Sequence, residues 1–91
     1  MLLSIISPTY NEADNVIKFV NSIELILRKH NYEIIFVDDN SSDKTHEIIK
    51  NLSSKIPHVR CLRRIGRRGL SSAVIEGCLS SSSDLLLIMD A

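Results

Sequence analysis

Polar side chains able to bind a ligand follow the second long apolar run of the sequence, at residues 38–43 (DDNSSD). This segment opens with two adjacent carboxylates, Asp38 and Asp39. Neighbouring carboxylates repel one another and gain little unless a hydrogen-bond donor or a cation faces them. We therefore expect Asp39 to bind a ligand. Residues 40–43 are interpreted more simply as a turn and a helix start, because Asn, Ser and Asp satisfy backbone groups in loops and at helix ends.

A second candidate segment, residues 8–12 (PTYNE), follows the first apolar run. It could be only a rigid entry to a helix, with Asn11 as the cap. Tyr10 favours a binding role, because an aromatic ring in a polar loop can lie flat against a nucleobase. Glu12 or Asp39 would then accept hydrogen bonds from the base or the ribose. The two segments together predict a nucleoside pocket.

The last apolar run leads to Asp90, which is followed by Ala91 at the end of the sequence. Mg²⁺ and Mn²⁺ prefer oxygen ligands, and an Asp-x-Asp arrangement can aim two carboxylates at one ion that bridges a diphosphate. Asp90 and Ala91 match the first two positions of that arrangement. We therefore expect Asp90 to be a metal ligand and the sequence to be truncated within the metal motif.

Five of the six arginines lie between Arg60 and Arg68, and two interpretations of them remain open. Their charges could belong to a solvated edge strand and loop, where they discourage edge pairing. Alternatively, one or two of Arg64, Arg67 and Arg68 could hold phosphate, for which the guanidinium group is well shaped.

The elements that would position these residues alternate along the chain. Short apolar runs predict four strands, at Leu2–Ser7, Tyr32–Asp38, Val59–Arg63 and Leu85–Asp90. Amphipathic stretches predict a helix from about Ala13 to Lys29, a second that ends before Pro57, and a third that begins at Leu70. This order, with right-handed crossovers, predicts a doubly wound, Rossmann-like parallel sheet. The second and fourth strands are apolar throughout and should be central.

In an open sheet of this kind, ligands bind beyond the carboxyl ends of the strands, so the candidate residues should share one edge. The third helix carries a narrow stripe of mostly small side chains that includes Ala73, Gly77 and Cys78. Glycine lowers helix propensity by about 1 kcal/mol, so we expect Gly77 to be there because the helix lies unusually close to the sheet.

Composition excludes several classes of protein. The 91 residues carry 11 basic and 11 acidic side chains, so a formal charge of zero gives no bulk attraction to nucleic acid. No apolar run is long enough to span a bilayer, and no targeting segment is visible. Cys61 and Cys78 are expected to be buried free thiols in a reducing compartment. The histidines at positions 30, 46 and 58 are expected to lie on the surface.

Four segments resemble, in order and spacing, the family 2 glycosyltransferases, and in particular the dolichol-phosphate (polyprenol-phosphate) mannosyltransferases. They are residues 6–12 (ISPTYNE), 37–45 (VDDNSSDKT), 69–77 (GLSSAVIEG) and 89–91 (MDA). The resemblance implies a GT-A glycosyltransferase fold, of which residues 1–91 form the nucleotide-sugar-binding half. It also implies a metal-dependent enzyme, using Mg²⁺ or Mn²⁺, that transfers mannose from GDP-mannose to a polyprenol (dolichol) phosphate with inversion.

The motifs carry binding roles onto particular positions of this sequence. The implied nucleotide-sugar-binding residues are Pro8, Tyr10, Glu12, Val37, Asp39, Asp90 and Ala91. The implied metal ligand is Asp90. The resemblance further implies an enzyme at the cytoplasmic face of a membrane, held there by parts outside this sequence. Because the acceptor-binding basic residues are also outside it, we expect the 91-residue chain to be inactive alone.

Two alternatives remain. A family 2 enzyme could use a UDP-sugar donor instead, since these motifs barely separate the donors. A non-catalytic receiver-like signalling module would also have a doubly wound sheet with acidic strand ends. Its acidic pair would be expected after the first strand, where this chain has residues 8–10 (PTY).

Overall fold

Strands and helices alternate along the part of the chain that the structure describes. A computed structural model describes residues 2–66 and 69–91. Its elements are β1 (Leu3–Thr9), α1 (Ala13–Leu27), β2 (Tyr32–Asp38), α2 (Thr45–Lys55), β3 (Val59–Arg63), α3 (Leu70–Leu79) and β4 (Leu85–Ile88). This is the predicted order, and the bounds of β2 and β3 are the predicted ones.

The four strands form one parallel sheet in the order β3-β2-β1-β4. Because all strands run the same way, their carboxyl ends share one edge, as the sequence predicted. Strand β1 continues two residues beyond its predicted end, so that Pro8 lies opposite Val37 and Thr9 opposite Asp38. Strand β4 pairs with β1 only as far as Ile6, so the missing N–H of Pro8 lies beyond that ladder.

The prediction that both apolar strands are central is correct for β2 and wrong for β4. Among the described residues, β4 lies at the edge of the sheet, and its four side chains are each between 44% and 51% exposed. A uniformly apolar run indicates a strand whose two faces are both covered by other elements, but it does not say which elements cover them. The helices pack mainly elsewhere, with α3 over β1 and β2 and α2 over β3.

The sheet has a different core on each side. On the α1/α2 side, Val16 and Val20 of α1 and Ile49 of α2 pack against alternate strand residues such as Ile34 and Phe36. On the α3 side a smaller cluster forms from Ile6, Ile35, Val37 and Ala73. Successive strand residues point to opposite faces, which is why Ile35 and Val37 belong to one core and Ile34 and Phe36 to the other.

Gly77 brings α3 close to the sheet, as the sequence predicted. A Cβ placed on this residue would overlap the Cγ2 atom of Ile6 and lie 3.0 Å from the Cγ2 atom of Val37. A separation of that kind leaves no room for a side chain. The second helix also ends as predicted, because Ile56 has left the helical conformation directly before Pro57.

The serine run at residues 80–83 forms the exit from α3 and the loop that follows, and hydroxyl groups anchor it. The buried Ser4 hydroxyl lies 2.6 Å from Ser81 Oγ and 2.5 Å from Ser83 Oγ, and it donates to Glu33 over 2.6 Å. Glu33 also pairs with Arg60 at 3.0 Å. These contacts fix the segment that leads into β4.

Within residues 2–66 and 69–91, no helix combines the length and apolar character needed to cross a membrane.

Candidate functional site

A cleft of about 300 Å³ opens at the carboxyl edge of the sheet. It lies between the loops after β1 and β2 and the start of α3, and its lining residues are Pro8, Thr9, Tyr10, Asp39, Gly69 and Leu70. Tyr10 and Asp39 come from loops 29 positions apart in the sequence. The structure therefore brings together three of the residues predicted to bind a nucleotide sugar, Pro8, Tyr10 and Asp39.

The two adjacent carboxylates face opposite sides of the sheet. Asp38 is completely buried on the α1/α2 side, where both of its oxygens accept hydrogen bonds. Oδ1 accepts from the hydroxyls of Ser41 at 2.5 Å and Thr9 at 3.3 Å, and Oδ2 accepts from the Ser41 amide at 3.1 Å. Neutral donors from β1 and from the loop after β2 thus satisfy both oxygens of Asp38, which makes it a structural residue.

Asp39 lies on the α3 side and meets a cation. Its Oδ1 accepts a hydrogen bond from Arg64 Nε at 2.5 Å, and its side chain is 15% exposed. Among the described residues no hydrogen-bond partner is found for Asp39 Oδ2. Since Asp39 also lines the cleft, one carboxylate oxygen remains able to accept from a ligand.

Arg64 is buried, with only 1% of its side chain exposed, and it is the centre of an ion-pair network. Besides Asp39 it pairs with Glu76 at 2.6 Å, and it donates to Ser72 Oγ and to the Gly69 carbonyl. The hydrogen bonds to Asp39 and then to Glu76 raise the pKa of Arg64, so the guanidinium stays charged.

For Arg64, the prediction of a solvated edge is therefore wrong. Its guanidinium is occupied by the protein's own carboxylates, a possibility that the sequence interpretation did not include. Arg67 and Arg68, the other proposed phosphate ligands, lie outside the described residues. Arg63 is exposed and donates to Asn40 Oδ1 at 3.0 Å.

Glu12 and Val37 do not reach the cleft. Glu12 accepts a hydrogen bond from Asn15 Nδ2 at 2.9 Å and lines a neighbouring hollow of about 510 Å³ at the starts of α1 and α2. Val37 is fully buried in the core beneath α3. Their roles in nucleotide-sugar binding stay predictions.

The loops after β1 and β2 hold each other in place. Asn11 was predicted to cap α1, but its side-chain oxygen instead accepts from the amides of Ser42 at 2.9 Å and Asp43 at 3.3 Å. In return, Ser41 Oγ accepts from the Asn11 amide, and Thr45 Oγ1 accepts from the amide of Glu12. The prediction failed because the partner belongs to a loop about 30 residues away in the sequence.

Asp43 completes this exchange. Its Oδ2 accepts from the Ala13 amide at the start of α1, at 3.3 Å, while its Oδ1 accepts from the amide and hydroxyl of Thr45 at the start of α2. The bond from the Thr45 hydroxyl is the main reason why the pKa of Asp43 lies below its usual value. The predicted turn and helix start at residues 40–43 therefore serves two helices.

Asp90 is exposed and follows β4, beside the carboxyl end of β1. Its neighbours Met89 and Ala91 both pack against the core on the α1/α2 side. Alternation along an extended chain directs Asp90 to the other side of the sheet, which is also the side of the cleft. Among residues 2–66 and 69–91, no group of three or more His, Cys, Asp or Glu side chains could hold a metal by itself.

A second titratable cluster lies at the opposite edge of the sheet. His58, expected on the surface, is half-buried; it contacts Glu24 and lies 3.1 Å from the Tyr32 hydroxyl, which itself donates to Glu24 at 2.5 Å. The Tyr32 hydrogen bond lowers the pKa of Glu24, and burial raises the pKa of Tyr32. This cluster joins α1 to the starts of β2 and β3, away from the cleft.

Both cysteines are free, as predicted, but each is only partly buried. Burial raises the pKa of Cys61 to about 12, with a smaller contribution from the negative charge of Asp38. Its thiol therefore stays protonated at neutral pH and is a poor nucleophile.

Sequence reasoning missed Ser72 and Glu76 as part of the site. They are four residues apart in α3 and contact the same Arg64 nitrogen. Residues four apart share one face of a helix, so a count along the face adjacent to the one that carries Ala73 and Gly77 could have found them. No comparable pattern distinguishes Arg64 from the other arginines near it.

A parallel sheet with helices on both faces, and a cleft at its carboxyl edge, defines a doubly wound α/β fold. The family model described as "Glycosyl transferase family 2" matches residues 4–91. The chain belongs to this family. The match leaves no support for the receiver-like alternative.

Curated relatives include two kinds of dolichol-linked transferase. The chain is 47% identical over its whole length to "Dolichol-phosphate mannosyltransferase" of Pyrococcus furiosus, of which it covers 26%. It is 37% identical, over 98% of its length, to "Dolichyl-phosphate beta-glucosyltransferase" of Dictyostelium discoideum, of which it covers 30%. The chain thus spans about a quarter to a third of the length of these relatives.

Two solved structures confirm the predicted GT-A type of fold. A mannosyltransferase of Pyrobaculum calidifontis, in complex with GDP-Man and Mn²⁺, superposes with a TM-score of 0.80 at 24% identity, over 97% of this chain and 26% of that one. Glucosyl-3-phosphoglycerate synthase of Mycobacterium tuberculosis, with Mn²⁺, UDP and phosphoglyceric acid, gives 0.76 at 22% identity, over 98% and 32%.

Proposed function

We propose that the chain forms the nucleotide-sugar-binding half of a GT-A hexosyltransferase, which passes mannose from GDP-mannose to a polyprenol (dolichol) phosphate with inversion. The observation that carries this proposal is the cleft itself, where Tyr10 and Asp39 from separate loops line one space at the carboxyl edge. Membership in glycosyl transferase family 2, and a mannosyltransferase relative at 47% identity, support the choice of reaction.

The nucleoside would lie against the ring of Tyr10, which is 44% exposed, and would donate to Asp39. Oδ2 of Asp39 suits that role because Oδ1 is already bound by Arg64. Pro8 would form part of the wall. Val37 lies opposite Pro8 in the sheet and would contribute by supporting that part of the wall. Glu12 would contribute from the neighbouring hollow.

The donor set fits a divalent ion that is shared with the substrate. Mg²⁺ is usually held by one or two carboxylates together with substrate phosphates and water. Asp90 is an exposed carboxylate, and strand alternation directs it to the cleft side of the sheet. We therefore propose Asp90 as a ligand of Mg²⁺ or Mn²⁺, with Ala91 next to the sugar nucleotide. When bound, the ion would neutralise the diphosphate as it leaves.

The attack by the acceptor requires no strong general base from this half of the enzyme. A polyprenol phosphate is already anionic, so its oxygen can attack the sugar without a strong general base. A lipid acceptor would place the reaction at a membrane, and we propose its cytoplasmic face. The surface that holds the lipid would belong to other parts of the enzyme.

A UDP-sugar donor is the second candidate. The observation that favours it is the relative named dolichyl-phosphate beta-glucosyltransferase, which is 37% identical to this chain. One accepting oxygen on Asp39 can serve the N–H of a uracil as well as that of a guanine. The base therefore has to be decided by direct titration.

Calorimetry on the 91-residue chain tests both candidates. GDP-mannose and UDP-glucose are titrated with Mn²⁺ into the wild type and into Asp39→Asn, which keeps the acceptor for Arg64 but turns an amide N–H₂ towards the ligand. We expect one donor to bind, and its affinity to fall at least about tenfold in the variant, because a hydrogen bond to a charged group is lost.

Asp84→Asn is the matched control, since this exposed residue lies before β4 at the opposite edge. It should leave the affinity unchanged. Binding of neither donor to a folded wild-type chain, or equal binding by wild type and Asp39→Asn, would rule out the nucleoside assignment.

A further inference from the structure

We propose that Arg64 is a positioning residue for the nucleoside end of the cleft: it fixes Asp39 so that one carboxylate oxygen faces the ligand, and Glu76 is its counter-charge. This inference rests on the proposed nucleotide function. It assigns to Arg64 a role that is distinct from the phosphate binding considered for the arginine-rich segment.

The backbone of Arg64 is itself held by the sheet. Its amide donates to the carbonyl of Asp38 at 2.7 Å, which extends the pairing of β2 and β3 by one residue. The side chain therefore starts from a rigid element directly beside Asp39. A group held in this way can set the direction of a neighbouring carboxylate more precisely than a group on a mobile loop.

All three guanidinium nitrogens are engaged. Nε donates to Asp39 at 2.5 Å, Nη1 donates to Ser72 at 2.8 Å and Glu76 at 2.6 Å, and Nη2 donates to the Gly69 carbonyl at 3.1 Å. The planar fork thus joins the end of β2 to the first turn of α3. Both of these segments line the cleft, so the geometry of the cleft depends on this one side chain.

The charge balance explains why two carboxylates are present. Arg64 is 1% exposed, and a buried guanidinium needs close anionic partners to offset its lost hydration. If Asp39 were its only partner, both of its oxygens would be drawn to the cation. Glu76, at 33% exposure on the other side of the fork, shares that task and leaves Oδ2 of Asp39 to the cleft.

The same geometry argues against direct phosphate binding by Arg64. A phosphate ligand needs N–H groups that point into the site, whereas four of the five guanidinium N–H groups here donate to protein oxygens. An incoming diphosphate would also meet the carboxylates of Asp39 and Glu76 beside it. The network is therefore suited to orient a neutral N–H donor rather than an anion.

The test is Arg64→Lys, titrated with guanosine, GMP and GDP in the presence of Mn²⁺, with the uridine series in parallel. A lysine keeps the charge but, as a compact ammonium, cannot reproduce the planar fork. We expect each of the three ligands of the bound series to lose affinity by the same factor, at least about tenfold, because the lost contact is to the nucleoside. Arg60→Lys, which alters the ion pair with Glu33 at the other edge, is the matched control and should bind as the wild type does.

A loss that grows with the number of phosphates would show that Arg64 binds phosphate and would overturn the inference. Unchanged affinity for all three ligands would overturn it as well. If the wild type itself bound neither series, the proposed function would fail and the inference with it. The two failures are therefore distinguishable from the wild-type titration alone.

A second pair of variants keeps the test informative if Arg64→Lys does not fold. Glu76→Ala removes one anchor of the guanidinium, whereas Glu76→Gln keeps an oxygen that accepts from Nη1. We expect the Ala variant to lose nucleoside affinity and the Gln variant to retain it within about threefold. Equal affinities of the two variants and wild type, at matched thermal midpoints, would contradict the positioning role.

The double variant Arg64→Lys with Asp39→Asn separates positioning from a general structural effect. If Arg64 acts through Asp39, the combined loss of nucleoside affinity is smaller than the product of the single losses. Independent, multiplicative losses would contradict the inference.

Discussion

The neighbouring side chains Asp38 and Asp39 are chemically identical but lie in different environments on the two sides of the sheet. On the α1/α2 side, hydroxyls of β1 and of the loop after β2, with one amide of that loop, satisfy both oxygens of Asp38, which has no contact with solvent. On the α3 side, a buried cation engages one oxygen of Asp39, a residue that lines the cleft. The difference shows that residue type and position along a strand end do not decide a role; the donors on each face do.

The apolar cores beneath Asp38 and Asp39 also differ, in how many side chains fill them and in how closely the helices approach the sheet. The α1/α2 side is filled by branched and aromatic side chains of two helices, including an edge-to-face contact of Phe19 with Phe36. The α3 side is thinner and depends on the close approach at Gly77. We expect the first side to govern the stability of the fold and the second to govern the shape of the cleft.

The largest expected effect is at Asp38. Asp38→Ala leaves the buried hydroxyl of Thr9 and the amide of Ser41 without an acceptor, so the free energy of unfolding should fall by about 3 kcal/mol. Urea denaturation measures this loss. Nucleotide affinity of the folded fraction should stay near that of the wild type, the reverse of Asp39→Asn. A variant of Asp38 that lost affinity but not stability would break the comparison.

Gly77→Ala tests the thin side of the sheet. The added methyl group overlaps Ile6, so overpacking should cost about 1–3 kcal/mol, partly offset by about 1 kcal/mol of helix propensity. We therefore expect the free energy of unfolding, measured by thermal unfolding, to fall by up to about 2 kcal/mol. Ser71→Ala, at an exposed position of the same helix, is the control and should be neutral or stabilising. Equal stability of the two variants would mean that α3 is not closely packed.

Asn11→Gly tests the exchange between the two loops. Glycine adopts the positive φ of 54° at this position easily, so the variant isolates the side-chain acceptor for the amides of Ser42 and Asp43. Loss of these hydrogen bonds should lower the free energy of unfolding by about 1 kcal/mol. Asn40→Gly is the matched control, since Asn40 has a φ of 55° but its side chain, among the described residues, accepts a hydrogen bond only from the exposed Arg63. It should change stability by less than about 0.5 kcal/mol.

The smallest effect is a pH dependence on the α1/α2 side. The folded-state pKa of Glu24 lies below its usual value near 4.5, chiefly because the Tyr32 hydroxyl donates to it. Its contribution to stability is therefore complete above that usual value and is lost as the pH falls through the folded-state pKa. As the pH is lowered from about 6 to about 3, the thermal midpoint of Glu24→Gln should therefore fall less steeply than that of the wild type. An identical pH profile for this variant would remove Glu24 from the acid response.

Much of the fold was predictable because the apolar pattern is local. The bounds of β2 and β3 follow from their apolar runs, the end of α2 follows from Pro57, and the close approach follows from Gly77. The position of β4 was not predictable, since an apolar run indicates a strand that is covered on both faces but does not say which neighbours cover it. Neighbours in a sheet are decided by the whole chain.

The candidate site was predictable in part. Alternation along a strand already implies that Asp38 and Asp39 face opposite sides of the sheet, but the sequence does not reveal which hydrogen-bond donors lie on each side. Arg64 illustrates the limit, because nothing local distinguishes it from Arg63, yet one is buried and the other exposed. Such differences arise from contacts that close only when distant segments meet.

The mutual hydrogen bonding of the loops after β1 and β2 has a consequence for protein engineering. Each loop supplies acceptors for the other's amides, through Asn11 on one and Ser41, Asp43 and Thr45 on the other. A chimaera that takes only one of these segments from a homologue with a different loop would cut the exchange in both directions. Transplanting both segments together preserves these hydrogen bonds, so the two loops should be exchanged together when chimaeras are built.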